Sequence, residues 1–144
     1  MSVTQSPCPL CQPDGETVLW QGRQARVVLV EDSPYAGYCR VIWQAHAAEM
    51  TDLSADDRRQ LMDIVFAVEA ALRRTLLPTK INLASLGNQV AHLHWHVIPR
   101  QADDATFPDA IWAAPRREQP TRALDLGTLR QAMAAAIGAI HQTP

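Results

Sequence analysis

The chain has 144 residues, 47% of them hydrophobic, with a formal net charge of −2. That length fits one domain with a core of its own, and the near-neutral balance argues against a nucleic-acid or anionic-membrane surface. No apolar run approaches the roughly 18 residues needed to cross a bilayer, and the start MSVTQSPCPLCQPDG lacks the basic and apolar segments of a signal peptide, so the expected location is the cytoplasm, where the three cysteines stay reduced.

Residues 1–15 are short, polar and Pro/Gly-punctuated, and they carry Cys8-Pro9-Leu10-Cys11. Glu16 to Gln21 and Arg26 to Glu31 read as two strands with Gly22 in the turn between them. Asp32-Ser33-Pro34-Tyr35-Ala36-Gly37 is a loop, and Tyr38 to Gln44, rich in β-branched and aromatic residues, is a third strand. Ser54 is a helix N-cap, and Leu61, Ile64, Val65, Val68, Leu72 and Leu76 repeat at helical spacing until Pro78 ends the run. Ile81 to Leu86 and His92 to Pro99 are two further strands, joined through Gly87-Asn88-Gln89. Residues 101–123 form a proline-punctuated arm, and Leu124 to Ile140 is a terminal helix weakened by Gly127 and Gly138. The order predicts an α+β fold: an antiparallel sheet of about five strands covered on one face by the long helix.

The informative segment is His92-Leu93-His94-Trp95-His96-Val97-Ile98-Pro99. Side chains alternate along a strand, so the three histidines share one face while Leu93, Trp95 and Val97 enter the core. Three unpaired imidazoles are costly to bury, so this face meets a cleft, a metal or water. Three readings follow: an exposed polar face, a metal site, or a nucleophile. A strand separates the first and third histidines by roughly 13 Å, too far for all three to ligate one ion without a bulge. Imidazole is a competent nucleophile near neutral pH.

The pattern His92-Leu93-His94-Trp95-His96-Val97-Ile98 resembles the signature of the histidine triad (HIT) superfamily. The likeness extends to Asp32-Ser33-Pro34, the helix Ser54 to Leu76, and Asn82 to Leu86. It covers a core of about residues 5–112, with 113–144 as a C-terminal arm and helix. With Leu86-Gly87-Asn88 and Trp95, the chain looks like a bacterial branch similar to the dinucleoside polyphosphate hydrolases. The resemblance implies a homodimeric nucleotide hydrolase or transferase acting on AMP-type substrates such as dinucleoside polyphosphates and phosphoramidates. It makes His94 the nucleophile that forms a nucleotidyl-histidine intermediate, and His96 a contact to phosphate and leaving group. It places Asn88 and Gln89 on the phosphate, Asn82 in the pocket wall and Glu31 on the ribose hydroxyls. A carboxylate accepting from vicinal hydroxyls is sound recognition chemistry, and a solvated strand end is the alternative for Glu31. Tyr38 stands where many members carry a fourth histidine near the nucleophile, a departure that supports a second reading: a nucleotide-binding regulatory protein with weak turnover.

The Cys8–Cys11 spacing is that of zinc ligands, a weak signal alone. Some histidine triad proteins and the related galactose-1-phosphate uridylyltransferases are similar in joining such a pair to a histidine past the third strand and to the first triad histidine. That resemblance implies a closed structural zinc site of Cys8, Cys11, His46 and His92. A catalytic zinc with an open position is the less favoured reading, since four protein ligands already fill a tetrahedron. Cys39 is expected to be a small buried side chain and His141 to be exposed.

Overall fold

The computed structural model of the chain describes residues 7–142, with the side chains of 141 and 142 outside that description. The expectations for the first six residues and for the His141 side chain therefore lie outside the described part. Among the described residues no helix is long and apolar enough to cross a membrane.

Five strands, β1 (Thr17–Gln21), β2 (Ala25–Leu29), β3 (Cys39–Trp43), β4 (Lys80–Ala84) and β5 (His94–Arg100), form one antiparallel sheet in the order β1-β2-β3-β5-β4. The long helix α1 (Ala55–Leu76) follows β3, and α2 (Leu126–Gly138) closes the chain. This is the α+β arrangement expected. The Ser54 hydroxyl accepts from the Asp57 backbone N–H at 3.1 Å. Asp56 and Asp57 in the first turn and Arg73 and Arg74 in the last oppose the helix dipole at both ends. Leu61, Ile64, Val65, Val68 and Leu72 form the buried stripe, packed on β3 and β5. The α2 side chains Leu129, Met133 and Ile137 fill the space between α1 and β1.

Strand alternation sorts the sheet into two unlike faces. Val27, Cys39, Val41, Trp43, Ile81 and Val97 enter the core beneath the helices. Tyr38, Arg40, Ile42, His94, His96, Ile98 and Arg100 occupy the opposite face, fixed by the register Ile42↔His94 and Arg40↔His96. Only a small apolar cluster of Val30, Tyr35, Tyr38 and Ile98 lies among them.

Two chain segments approach this second face. Arg26 holds the N-terminal one: its guanidinium donates to Glu16 Oε1 at 2.7 Å, to Gln44 Oε1 at 2.7 Å and to the Leu10 carbonyl at 2.9 Å. Arg100 and Asp104 hold the other. Their buried pair at 2.8 Å is completed by backbone N–H groups of Gln101, Thr106 and Phe107 on the carboxylate. Burial raises the Asp104 carboxyl, but these hydrogen bonds and the Arg100 charge win and hold it low. Gly37 enters β3 at φ +84, where a Cβ would run into Leu76 Cδ1.

Most element ends shift by one or two residues from the sequence reading, and two of the shifts have a visible cause. β5 begins at His94, not His92, because Leu93 N–H is donated to the Ala47 carbonyl beyond the end of β3. β4 ends at Ala84, not Leu86, where Ser85 turns its hydroxyl onto the His94 carbonyl at 3.0 Å.

Candidate functional site

The three histidines are all buried, at 0% exposure for His92, 9% for His94 and 5% for His96. The face expected to meet a cleft, a metal or water keeps its histidines buried while doing so: His94 and His96 line a cleft, and His92 lies in a cluster of possible metal ligands. Each can be buried because each has a hydrogen-bond partner. His92 Nε2 lies 2.6 Å from the Trp43 carbonyl, and His94 Nδ1 lies 2.6 Å from the His92 carbonyl. A carbonyl only accepts, so both of these nitrogens carry the proton. That leaves the lone pair on Nδ1 of His92 and on Nε2 of His94.

His96 Nδ1 is 2.6 Å from the Tyr38 hydroxyl. Burial pushes the tyrosine up and pushes His96 down to about 4, with the nearby charges of His94 and Arg40 lowering it further. Both groups are therefore neutral at pH 7. With the hydroxyl as donor to Nδ1, the His96 proton sits on Nε2. The His94 and His96 rings stand nearly perpendicular, 83° apart with centroids at 5.0 Å.

These two rings line a cleft of about 370 Å³ whose walls also include Tyr38, Arg40, Asn88, Gln89 and Trp112. Asn88 and Gln89 come from the exposed loop after β4. Trp112 comes from the C-terminal arm, half-exposed and edge-on to His96 at 5.5 Å. The cleft thus offers a nucleophilic nitrogen, an N–H donor on the neighbouring ring, two side-chain amides and one guanidinium.

The sequence-derived set is only partly brought together. His94, His96, Asn88 and Gln89 meet in the cleft. Glu31 does not: it lines a separate depression with Ser33, Pro34 and Gln119. Asn82 shares the histidine face but sits a rung further along, opposite Ile98, where its Oδ1 accepts from Arg100 at 2.8 Å. Tyr38 reaches His96 rather than His94, whose orientation comes from a backbone carbonyl instead. Arg40 was missed. Its signal was a lone cation two residues after Tyr38, on the same face of a strand whose other residues are almost all apolar.

A second cluster lies beside the first. The ligand atoms of Cys8, Cys11, His46 and His92 all fall within 4.8 Å of one another. His92 Nδ1 is 3.3 Å from His46 Nδ1 and 3.4 Å from each cysteine Sγ, and Cys11 Sγ is 3.3 Å from His46 Nδ1. The edges of a zinc tetrahedron are about 3.3 Å between two nitrogens and about 3.6 Å between nitrogen and sulfur, from ordinary bond lengths. The four side chains therefore match the dimensions of a metal site. The His92 tautomer fits it as well, since the Trp43 carbonyl turns the Nδ1 lone pair toward the cluster. Burial raises the Cys8 thiol, but N–H groups of Cys11 and Leu10 and the Arg26 charge outweigh it and bring the thiol below its usual value. Cys39 is apart from the cluster, buried, with its thiol on the Gly37 carbonyl.

The fold was compared with solved structures. A histidine triad protein of Bradyrhizobium japonicum superposes with a TM-score of 0.69 at 26% identity, covering 85% of this chain and 90% of that one. A histidine triad protein of Marinobacter aquaeolei gives 0.67 at 19% identity, covering 85% and 89%. A zinc-bound histidine triad family protein of Mycobacterium smegmatis gives 0.65 at 18% identity, covering 94% and 96%. No curated protein matched the chain. The family model of the HIT domain matches residues 15–103, a span that includes the whole sheet, the long helix and all three histidines, and the chain belongs to that family.

Proposed function

We propose that the protein cleaves a phosphoanhydride or phosphoramidate bond of an AMP-type nucleotide through a nucleotidyl intermediate on His94. HIT domain proteins are generally nucleotide hydrolases and transferases. The observation that carries the proposal is the 2.6 Å approach of His94 Nδ1 to the His92 carbonyl. It fixes the neutral tautomer with the nucleophilic lone pair on Nε2, in a residue that lines the cleft. The adjacent His96 Nε2–H and the amides of Asn88 and Gln89 suit the phosphoryl oxygens, where negative charge grows during attack. The half-exposed Trp112 ring gives the base an apolar wall.

Zinc fits the cluster of Cys8, Cys11, His46 and His92 by donor type and spacing. The zinc-bound relative of Mycobacterium smegmatis is compatible with that choice of ion. With four protein donors its contribution is structural, tying the N-terminal segment to the strand that carries the nucleophile.

The test is a trapping experiment with nucleotides labelled at the α-phosphorus, an adenosine phosphoramidate and a diadenosine polyphosphate. Rapid denaturation should recover label on His94. His94→Ala should lose the label and turn over on the order of a thousand-fold or more slowly, with an unchanged fold. Label retained in that variant, or turnover at the wild-type rate, overturns the proposal; tight nucleotide binding without label in the wild type favours the regulatory reading.

A further inference from the structure

We propose that Arg40 is a specificity-determining residue that pairs with an anionic leaving group, so that the preferred substrate is a nucleoside 5′-phosphoryl anhydride and not a phosphoramidate. The inference rests on His94 being the nucleophile.

Three arginines project from the second face of the sheet, and the difference between them is informative. Arg26 is paired with Glu16, and Arg100 with Asp104. Arg40 has no acidic partner among the described residues, and its Nε is buried with no hydrogen-bond partner at all. Leaving a buried guanidinium N–H unmet costs on the order of 1–3 kcal/mol or more, which a bound anion would recover. Arg40 also stands directly across from His96 in the β3–β5 ladder and lines the same cleft. Since His96 is neutral, Arg40 is the one permanent cation among the residues lining that cleft.

The phosphoryl group under attack already has neutral donors in His96, Asn88 and Gln89. A planar cation beside them, lying 5.9 Å from the Tyr38 ring centroid, matches a second anion, which it can hold bidentately. The two candidate bond types differ in what they need from it. When His94 Nε2 forms its bond to phosphorus in an anhydride, the bridging P–O bond breaks and its electron pair leaves on a phosphate or carboxylate oxygen. That product is an anion which needs no proton, and a guanidinium stabilises it. When the broken bond is P–N, the leaving amine must take up a proton, and Arg40 cannot donate one at neutral pH. In either case water then attacks phosphorus, the N–P electron pair returns to Nε2, and one water proton passes to solvent.

The experiment compares kcat/KM for diadenosine triphosphate and for adenosine phosphoramidate in the wild type, Arg40→Gln and Arg40→Lys. Equilibrium binding of ADP and of AMP to the same three proteins is measured alongside. In Arg40→Gln the triphosphate should lose at least about tenfold more than the phosphoramidate, and the preference for ADP over AMP should shrink by a similar factor. Arg40→Lys should recover part of both. Equal losses on the two substrates, with an unchanged ADP/AMP ratio, overturn the assignment by putting Arg40 on the reacting phosphoryl group or in the scaffold. If the wild type turns over neither substrate, the His94 reading fails, and the ADP/AMP ratio still decides the role of Arg40.

Discussion

The His94 imidazole donates its Nδ1–H to the backbone carbonyl of His92 across 2.6 Å. A side chain two positions further along the same strand segment is thereby locked in one tautomer by main chain alone. No substitution of a neighbouring side chain can remove that acceptor directly, so Tyr38 is released from the role that a fourth histidine would have there. It is instead the partner of His96.

Tyr38→Phe tests that division of roles. The change removes the donor to His96 Nδ1 and leaves a buried nitrogen unpaired, which costs about 1–3 kcal/mol of stability. The covalent step on His94 should survive, slowed on the order of tenfold because His96 loses its fixed Nε2–H tautomer. The checks are urea unfolding and single-turnover labelling. A loss as deep as that of His94→Ala would show that Tyr38 acts on the nucleophile itself.

Metal content is the second measurement. Protein purified with thiols reduced and without chelator should carry about one zinc per chain, as one four-ligand site requires. Cys8→Ser combined with Cys11→Ser should release it and lower Tm. A metal-free wild type of full stability refutes the zinc assignment.

The third prediction concerns acid. The unfolded His96 imidazole takes a proton near 6.5 and the folded one only near 4, because burial disfavours the charged form. Between those values the unfolded state binds more protons, so stability rises with pH. The contribution is complete above about 6.5 and is lost as pH falls toward 4, by up to about 3 kcal/mol. Urea unfolding at pH 7, 5 and 4 should show a steeper decline for the wild type than for His96→Asn. Parallel declines would place the acid sensitivity elsewhere, for example in the cysteine and histidine cluster.

Leu77 ends α1 in the left-handed region, at φ 47, and is 79% exposed. A side chain there meets the backbone strain of that region and gains little packing in return. Leu77→Gly should raise stability by about 0.5–1 kcal/mol, seen as a higher Tm. No change, or a decrease, would mean that leucine restricts the unfolded chain enough to offset the strain.

The fold was legible because its signals are periodic. Leu61, Ile64, Val65, Val68 and Leu72 can only be one side of a helix, and His94-Trp95-His96-Val97 can only be a strand with two unlike faces. The strand ends were less legible, since they depend on partners distant in sequence: Ala47 draws Leu93 out of the ladder, and the His94 carbonyl draws Ser85. At the site, the motif residues within a few positions of the triad come together in one cleft, whereas Glu31 and Asn82, further away, stand outside it. Glu31 follows β2, next to the strand that carries Arg40, yet it lines a separate depression with Ser33, Pro34 and Gln119. Arg40 was overlooked because a single arginine on a strand is usually solvated. Its meaning emerges only when the register sets it opposite His96 and its two neighbouring arginines prove to be paired.

The second cluster draws its members from three distant stretches of chain. Cys11 and His46 are 35 residues apart, and Cys8 and His92 are 84. A metal ion held by the folded cluster and not by the unfolded chain would add its binding free energy to the stability of the fold. His46 follows β3 and His92 precedes β5, so their nitrogens meet only after those two strands have paired across the whole intervening helix. A metal ion bound there would therefore favour the state in which β3 and β5 are paired, fastening the two ends of a 46-residue span at one point.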